Sequence, residues 1–289
     1  MGLFDKLRGL FTSDKLNVAE RFELVKEAIS GTMSKFHVVR EHKTGRLLGL
    51  KLLDTKKTAA VEERYQGLNK PSEGEIALGL SHPRLVKTLE CGLTTEGVQY
   101  ILMELVPGTG LNTLINQRSP LLEGKGGLLS RQMAEAIAAV HAAGYVHRDI
   151  CPRNYICDAA VENVTLIDFG LTVPAKKEFM PPGIRTGTPN YMAPEIARRR
   201  PWDHRVDLFA WGVTAYQTCT YEHPWPGGDP TGKGALRHDT EPPVDIREVA
   251  PKIHPQLAEI IMACLAVDPA ERPATATEIV RRLAGAASG

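Results

Sequence analysis

The hydrophobic pattern of this chain changes once along its length, and that change limits the possible folds more than any other feature. Residues 21–53 alternate between apolar and polar side chains and predict three strands of an antiparallel sheet. Residues 98–106 predict one further buried strand. From Ser130 onward the pattern is helical. It recurs near residues 206–219, 255–266 and 275–284. Strands followed by helices predict an α+β fold.

This order of elements divides the chain into three predicted parts. Residues 1–20 form an N-terminal extension, residues 21–105 a small sheet-rich lobe, and residues 106–285 a larger helical lobe. A chain of 289 residues is long enough for two such lobes. A short helix from Ser72 to Leu80 is expected inside the first lobe, although its internal glycines each cost about 1 kcal/mol relative to alanine.

Composition and charge exclude several classes of protein. Hydrophobic residues make up 43% and charged residues 24% of the chain, which is typical of a globular protein. The net charge of 35 − 34 = +1 gives no overall field that would attract nucleic acid, so no nucleic-acid partner is expected. No apolar run reaches the roughly 18 residues of a membrane span. The five cysteines contain no C-x-x-C pair, which favours free thiols in a reducing, cytoplasmic setting.

The first eleven residues, MGLFDKLRGLF, have the pattern of an amphipathic helix. One helical face would carry the large apolar side chains Leu3, Phe4, Leu7, Leu10 and Phe11. A short helix docked on its own domain is the preferred interpretation. Contact of residues 1–11 with a membrane surface is the alternative.

Three short motifs of polar and charged residues follow one another in the helical part of the chain. They are His147-Arg148-Asp149 with Asn154, Asp168-Phe169-Gly170, and Ala193-Pro194-Glu195. A strand lysine, Lys51, precedes them, and Asp207 and Arg272 follow them. In this order, these residues resemble the eukaryotic-type protein kinase family over nearly the whole chain.

The resemblance implies a bilobal protein-kinase-like fold, with a small antiparallel-sheet N-lobe and a larger helical C-lobe. It also implies ATP and Mg²⁺ as cofactors and proteins as substrates. Phosphoryl transfer depends mainly on positioning and on neutralising the charge of the triphosphate. By the resemblance, Asn154 and Asp168 would supply oxygen ligands for Mg²⁺, and Asp149 would accept or orient the proton of the substrate hydroxyl.

A further catalytic pair is implied by the resemblance. Lys51 would hold the α- and β-phosphates of ATP, and a helix glutamate would orient Lys51. Both Glu73 and Glu75 qualify for that glutamate. Glu73 is preferred because it stands nine residues before His82, the spacing typical of the family.

The nucleotide-binding residues are also implied by the resemblance. The expected set is Ile29, Gly31, Ser34, Phe36, Gly49, Lys51, Met103, Glu104, Val106 and Ile156. The glycine-rich loop keeps only Gly31, because Ile29 and Ser34 replace the other glycines. Phe36 and Gly49 replace the small apolar residue and the alanine that usually enclose adenine, a pairing that conserves volume.

The catalytic loop departs from the serine/threonine kinase pattern at one position. Cys151 stands two residues after Asp149, where the family usually has a lysine, and Arg153 is predicted to supply the missing positive charge. Two interpretations of Cys151 are open: a reactive thiolate beside the transferred phosphate, or a buried inert thiol.

The activation segment, residues 168–195, bears on substrate and control. Its stretch from Gly187 to Glu195 resembles serine/threonine kinases. Arg148 suggests control by phosphorylation of this segment. Thr186 is the predicted autophosphorylation site, because Thr188 has a structural role in the family.

Three functions fit these residues: an active protein kinase, a nucleotide-binding pseudokinase that acts as a scaffold, and a small-molecule kinase of related fold. Retention of Lys51, Asp149, Asn154 and Asp168 disfavours the pseudokinase. The full activation segment disfavours the small-molecule enzyme. The sequence therefore predicts a protein serine/threonine kinase.

Overall fold

The computed structural model describes residues 15–26, 34–226 and 234–284, together with the backbone of residues 29–30. The described residues fall into two compact units. Unit 1 runs to Ser81 and includes Val86–Val106, whereas unit 2 takes in His82–Leu85 and the chain from Pro107 onward. Unit 1 holds an antiparallel sheet and unit 2 most of the helices, so the predicted α+β class is confirmed.

An antiparallel sheet of six strands forms the centre of unit 1, as far as the structure describes it. Its strands are β1 (Phe22–Leu24), β2 (Ile29–Ser30), β3 (Ser34–Glu41), β4 (Leu47–Leu53), β5 (Thr88–Leu93) and β6 (Gln99–Glu104). They lie in the order β1-β3-β4-β6-β5, and β2 pairs with β3. The sequence predicted three strands over residues 21–53. The structure has four there, because β1 and β2 pair separately with β3.

Strand β4 separates the core of unit 1 from the candidate site residues. Successive side chains point to opposite faces of a strand. Leu48 and Leu50 are buried and belong to an apolar cluster, so Gly49 and Lys51 lie on the other face. The cluster consists of Leu16, Phe22, Val39, Leu48, Leu50, Tyr100 and Leu102. One face of the sheet thus packs into the core of unit 1, and the other face carries the candidate site residues Gly49 and Lys51.

The described part of unit 1 also contains the helices α1 (Val18–Arg21), α2 (Thr55–Glu62) and α3 (Glu73–Gly79). Helix α3 starts where the sequence predicted, because Ser72 and Glu75 form a capping box. The Ser72 hydroxyl accepts from Glu75 N at 3.3 Å, and the Glu75 carboxylate accepts from Ser72 N at 2.7 Å. Helix α2 was not predicted, although Asp54 caps it by accepting from Lys56 N.

Helices dominate the described part of unit 2. They are α4 (Leu111–Asn116), α5 (Gly126–Ala142), α6 (Pro194–Ala197), α7 (Arg205–Thr220), α8 (Ile246–Val249), α9 (Pro255–Cys264) and α10 (Ala276–Leu283). Helix α5 begins at Gly126, four residues before the predicted start at Ser130. Glycine disfavours helices, and so the sequence pattern hides this first turn. Within the described stretches, no helix has the length and apolar character needed to cross a membrane.

Close contacts between glycine and cysteine bring α5 and α9 against α7. A Cβ atom placed on Gly126 of α5 would lie 2.6 Å from the Cys219 sulfur of α7. One placed on Gly212 of α7 would lie 2.9 Å from Cys264 Cβ of α9. Neither gap has room for a methyl group, because protein interiors are close-packed. The two cysteines therefore act as small packing groups.

Short strands in unit 2 frame the loops that carry the motifs. Strands β7 (Thr109–Gly110), β9 (Tyr155–Cys157) and β10 (Val164–Leu166) form a sheet in the order β10-β9-β7, and β8 (Tyr145–Val146) pairs with β11 (Val173–Pro174). His147 follows β8 directly, and Asp168 lies two residues beyond β10. The paired strands therefore fix the backbone where the first two motifs begin.

A buried ion pair ties the end of the activation segment to the loop before α10. Arg272 donates to both carboxylate oxygens of Glu195, at 2.7 and 2.9 Å, and the two side chains are 0% and 5% exposed. The guanidinium also donates to the backbone carbonyls of Arg205, Ala266 and Val267. All of its N–H donors therefore have an acceptor inside the protein.

Breaking this pair should destabilise the protein strongly. Arg272→Ala leaves the Glu195 carboxylate buried without its cation, and we expect the free energy of unfolding to fall by about 3–5 kcal/mol. Urea unfolding followed by circular dichroism measures the change. As a control, Arg247→Ala removes an exposed ion pair with Asp245 and should cost at most about 1 kcal/mol. Equal small losses in the two variants would contradict this role for Arg272.

Candidate active site

Lys51 and Glu73 form a buried ion pair in unit 1. Lys51 Nζ lies 2.5 Å from Glu73 Oε1, and the side chains are 8% and 11% exposed. Lys51 comes from β4, and Glu73 is the first residue of α3. Glu75, the other glutamate considered from the sequence, caps its own helix instead. The structure therefore pairs Lys51 with Glu73.

Gly74 allows α3 to lie close enough to the sheet for this pair to form. A Cβ atom at Gly74 would lie 2.6 Å from Cys91 Cβ of β5 and 3.0 Å from the Cys91 sulfur. A larger residue would push the helix away from the sheet. A glycine that weakens the helix thus brings the neighbouring Glu73 within reach of Lys51.

One face of the sheet brings together four residues predicted to bind the nucleotide. Cross-strand partners share a face, and Phe36 is the partner of Lys51 whereas Met103 is the partner of Gly49. A Cβ atom at Gly49 would lie 2.8 Å from the Phe36 ring and 3.0 Å from Met103 Cγ. The Phe36 ring therefore occupies the space that an alanine methyl group at position 49 would need.

The glycine-rich loop is described only in part. Gly31 lies outside the described residues, and the described backbone of Ile29 pairs with Phe36. Ser34 begins β3 after this gap. The other predicted nucleotide residues lie on strands or at the end of unit 1: Glu104 ends β6, Val106 is the last residue of unit 1, and Ile156 lies in β9 of unit 2.

Asp149 lies in a hydrogen-bond network within unit 2. Its Oδ1 accepts from the backbone N and from the hydroxyl of Thr188, at 2.9 and 2.7 Å. Its Oδ2 accepts from the side-chain amide of Asn154 at 3.0 Å. These bonds fix the orientation of the carboxylate. They leave one acceptor position, on Oδ2, for a substrate hydroxyl, since a carboxylate has about four such positions.

Arg153 lies one hydroxyl group away from Asp149. Its Nη2 donates to Thr188 Oγ1 at 3.0 Å, and that hydroxyl donates to Asp149. The Arg153 side chain is exposed, and a guanidinium carries five N–H donors. A positive charge is therefore present beside the Asp149 carboxylate although position 151 is a cysteine.

Cys151 is a packing residue in this structure. Its side chain is 0% exposed, and the Thr188 hydroxyl lies 3.6 Å from its sulfur. Burial, reinforced by the Asp149 carboxylate, raises the pKa of the Cys151 thiol to about 11. The interpretation of Cys151 as a reactive thiolate is wrong, because the charge of Arg153 does not outweigh burial. The structure agrees with the alternative, a buried inert thiol.

Asn154 and Asp168 carry oxygen atoms suited to Mg²⁺. The Asn154 amide nitrogen donates to the backbone carbonyl of Asp149 at 2.6 Å and to the Asp149 carboxylate, so the amide oxygen is directed away from these acceptors. Asp168 Oδ1 accepts from Gly170 N at 2.9 Å, which orients that carboxylate. Mg²⁺ prefers hard oxygen ligands of this kind. These two residues therefore fit the metal that the sequence implies.

Asp207 of α7 anchors the catalytic loop from the core of unit 2. Its Oδ2 accepts from His147 N and lies 2.8 Å from His141 Nε2, and its Oδ1 accepts from Arg148 N at 2.7 Å. Burial alone would raise the pKa of Asp207. The contact with His141, helped by the other groups around the carboxylate, lowers the pKa below its ordinary value. An ionised carboxylate thus holds the residues that precede Asp149.

The sequence analysis missed two histidines that hold the activation segment. His238 Nδ1 lies 2.9 Å from the carbonyl oxygen of Met192, and His223 Nε2 lies 2.9 Å from that of Asn190. Because a carbonyl only accepts, both ring nitrogens donate. Burial lowers the pKa of His238 to about 4, so its ring is neutral near pH 7. No sequence motif surrounds either histidine, and only the fold reveals this contact.

Comparison with known proteins places the whole arrangement in one family. A family model described as "Protein kinase domain" matches residues 22–283. The chain is 33% identical to serine/threonine-protein kinase pkn3 of Myxococcus xanthus, over 85% of this chain and 46% of that protein. It is 28% identical to serine/threonine-protein kinase pkn2 of the same organism, over 96% of this chain and 34% of that protein.

A vertebrate protein shows the same similarity. The hormonally up-regulated neu tumor-associated kinase of Homo sapiens is 34% identical, over 61% of this chain and 24% of that protein. The chain spans less than half the length of these three relatives. The family match runs from β1 to the end of α10 and takes in all three motifs, Lys51 and Arg272. The chain therefore belongs to the protein kinase domain family.

Proposed function

We propose that this chain is an active protein kinase, which uses ATP and Mg²⁺ and transfers the γ-phosphoryl group to serine and threonine side chains of proteins. The observation that carries the proposal is the oriented carboxylate of Asp149, held by Thr188 and Asn154, with Arg153 bonded to Thr188. Similarity to relatives named serine/threonine-protein kinases supports it.

Each polar residue has a distinct task in the proposed reaction. Asp149 orients the substrate hydroxyl and takes up its proton at a carboxylate oxygen. Lys51, oriented by Glu73, binds phosphate oxygens of ATP. Asn154 and Asp168 hold Mg²⁺, which neutralises charge on the phosphates when it is bound.

Arg153 takes the place of the lysine that position 151 lacks. A guanidinium can donate two N–H groups to a phosphate and stabilise the charge that develops during transfer. Its bond to Thr188 keeps the side chain near Asp149, and its exposure leaves it accessible to a phosphate. The positive charge then comes from position 153 and not from position 151, and it acts on the same phosphate group.

The proposal extends to partners and location. The chain's substrates are proteins, and the net charge of +1 does not favour a nucleic-acid partner. The free thiols fit a cytoplasmic location. Docking of residues 1–11 on the domain, or on a membrane surface, stays a prediction, because those residues lie outside the described part of the chain.

Asp168→Asn should abolish transfer and leave the fold intact, because a carboxylate that holds Mg²⁺ is lost with little change in volume. Labelled Mg-ATP with a generic protein substrate measures transfer, and a fluorescent ATP analogue measures binding separately. Asp245→Asn is a matched control, since Asp245 caps α8 and asparagine caps equally well. Transfer by Asp168→Asn near the wild-type rate would sink the proposal. Nucleotide binding by the wild type without transfer would favour the pseudokinase.

Arg153→Ala should lower turnover by roughly a hundredfold or more, the typical cost of losing one partner of the transition-state charge. Cys151→Ser should change turnover little, because the Cys151 thiol is buried and protonated. Adding Cys151→Lys to Arg153→Ala should recover much of the loss. Steady-state kinetics with a protein substrate give these values, and Arg247→Ala controls for loss of an exposed arginine.

Two results would count against the role of Arg153. Wild-type turnover in Arg153→Ala would show that the guanidinium does not act on the phosphate. A many-fold gain from Cys151→Lys alone would show that the charge had not been relocated, and the pseudokinase interpretation would gain.

Gly49→Ala should raise the KM for ATP, because the new methyl group would overlap the Phe36 ring and force it out of place. Overpacking costs about 1–3 kcal/mol, so we expect roughly a tenfold rise. Phe36→Val alone should also weaken ATP binding by removing ring contacts. The double variant should return close to the wild-type KM.

The control for this cycle is Gly79→Ala, since nothing lies within 4 Å of a Cβ atom at Gly79. Its KM should match the wild type. If the effects of Gly49→Ala and Phe36→Val simply add in the double variant, the two positions are not coupled.

A further inference from the structure

Trp202 contacts both the catalytic loop and the activation segment. It lies between α6 and α7 and is 8% exposed. The Arg148 guanidinium carbon is 5.0 Å from the centre of its ring, within the range of a cation–π interaction. Its indole Nε1 donates to the backbone carbonyl of Pro181 at 3.0 Å. One buried side chain thus joins Arg148 to the segment that carries Thr186 and Thr188.

The backbone of Arg148 needs firm support. Its φ of 70° lies in the left-handed region, which a non-glycine residue occupies only where the surroundings hold it there. Asp207 supplies part of that support by accepting from Arg148 N. Arg148 directly precedes Asp149, so rotation of its backbone would turn the Asp149 carboxylate. A contact that fixes the Arg148 side chain therefore bears on the orientation of Asp149.

The environment of the Arg148 side chain also bears on control. The residue is 8% exposed, and a buried guanidinium needs a partner for its charge. The sequence suggested that a phosphate on the activation segment would be that partner. In this structure the face of an indole lies against the guanidinium, and the same indole donates to the carbonyl of Pro181.

We infer that Trp202 is a positioning residue of this kinase. It holds Arg148 and the activation segment in their working arrangement through a neutral aromatic ring and its indole donor. The inference rests on the proposed kinase function for its kinetic consequences. Its structural consequences, on the loop and the segment, are independent of that function.

Two substitutions separate the two contacts of Trp202. Trp202→Leu removes the ring face and the indole donor, whereas Trp202→Phe keeps a ring face and loses only the donor. We expect Trp202→Leu to lower kcat by about tenfold or more while the KM for ATP stays within about twofold. Trp202→Phe should retain more of kcat, since phenylalanine also attracts a cation.

A substitution at a second buried tryptophan, Trp211, serves as the control for a general loss of stability in unit 2. Trp211→Phe removes a hydrogen bond of the same kind, from Trp211 Nε1 to the carbonyl of Ser130 at 2.9 Å. It should lower the unfolding midpoint and leave kcat within about twofold of the wild type.

Hydrogen exchange followed by mass spectrometry gives a readout that needs no activity. Trp202→Leu should speed exchange several-fold in residues 147–149 and 181–192, and Trp202→Phe mainly in 181–192. If the wild type transfers no phosphate, the proposed function fails and these exchange rates alone decide the role of Trp202. Unchanged exchange in Trp202→Leu overturns the inference, as does wild-type kcat in that variant.

Discussion

The arrangement of unit 2 depends on one buried charge, the carboxylate of Asp207. Helix α7 is buried on nearly all sides, and Asp207 is the acidic residue in its first turn. Two successive backbone N–H groups, of His147 and Arg148, end on this carboxylate. Without it both donors would be buried and unsatisfied, and a buried unsatisfied donor costs about 1–3 kcal/mol. The loop that presents Asp149 is therefore positioned by a carboxylate on a helix that is buried on nearly all sides.

The candidate site is organised by polar contacts among the protein's own side chains. In unit 1 the Lys51 ammonium is already paired with Glu73, at a distance set by the close approach of Gly74 to the sheet. In unit 2 the Thr188 hydroxyl accepts from Arg153 and donates to Asp149. Groups oriented in advance need little rearrangement as charge develops during a reaction, and this preorganisation is a main source of catalysis by charged sites.

The sequence analysis predicted the site residues that stand in local motifs. It missed the features that depend on contacts between residues far apart in the chain. Lys51, Asp149 and Asp168 stand in motifs whose order and spacing can be read directly. The first turn of α5 was missed because glycine is a poor helix former, and its reason for being there is a cysteine 93 residues away, 219 − 126. The inert state of Cys151 follows from burial, which neighbouring charges in the sequence do not reveal. Trp202 stands in no motif, and only the fold brings it to Arg148.

The contacts between glycine and cysteine have a consequence for how this chain can vary over evolution. Gly74 with Cys91, Gly126 with Cys219, and Gly212 with Cys264 each share one small volume between two elements. A methyl group gained on one side is tolerated when the other side loses an atom of similar size. At Gly126 the nearest atom is the Cys219 sulfur, so alanine at position 126 should be accompanied among related chains by alanine at position 219. At Gly74 and Gly212 the nearest atom is the Cβ of the cysteine, so alanine at either position should be accompanied by glycine in place of that cysteine. Each pair of substitutions would preserve the spacing of two elements, although the residues around either position would not show that the two changes are coupled.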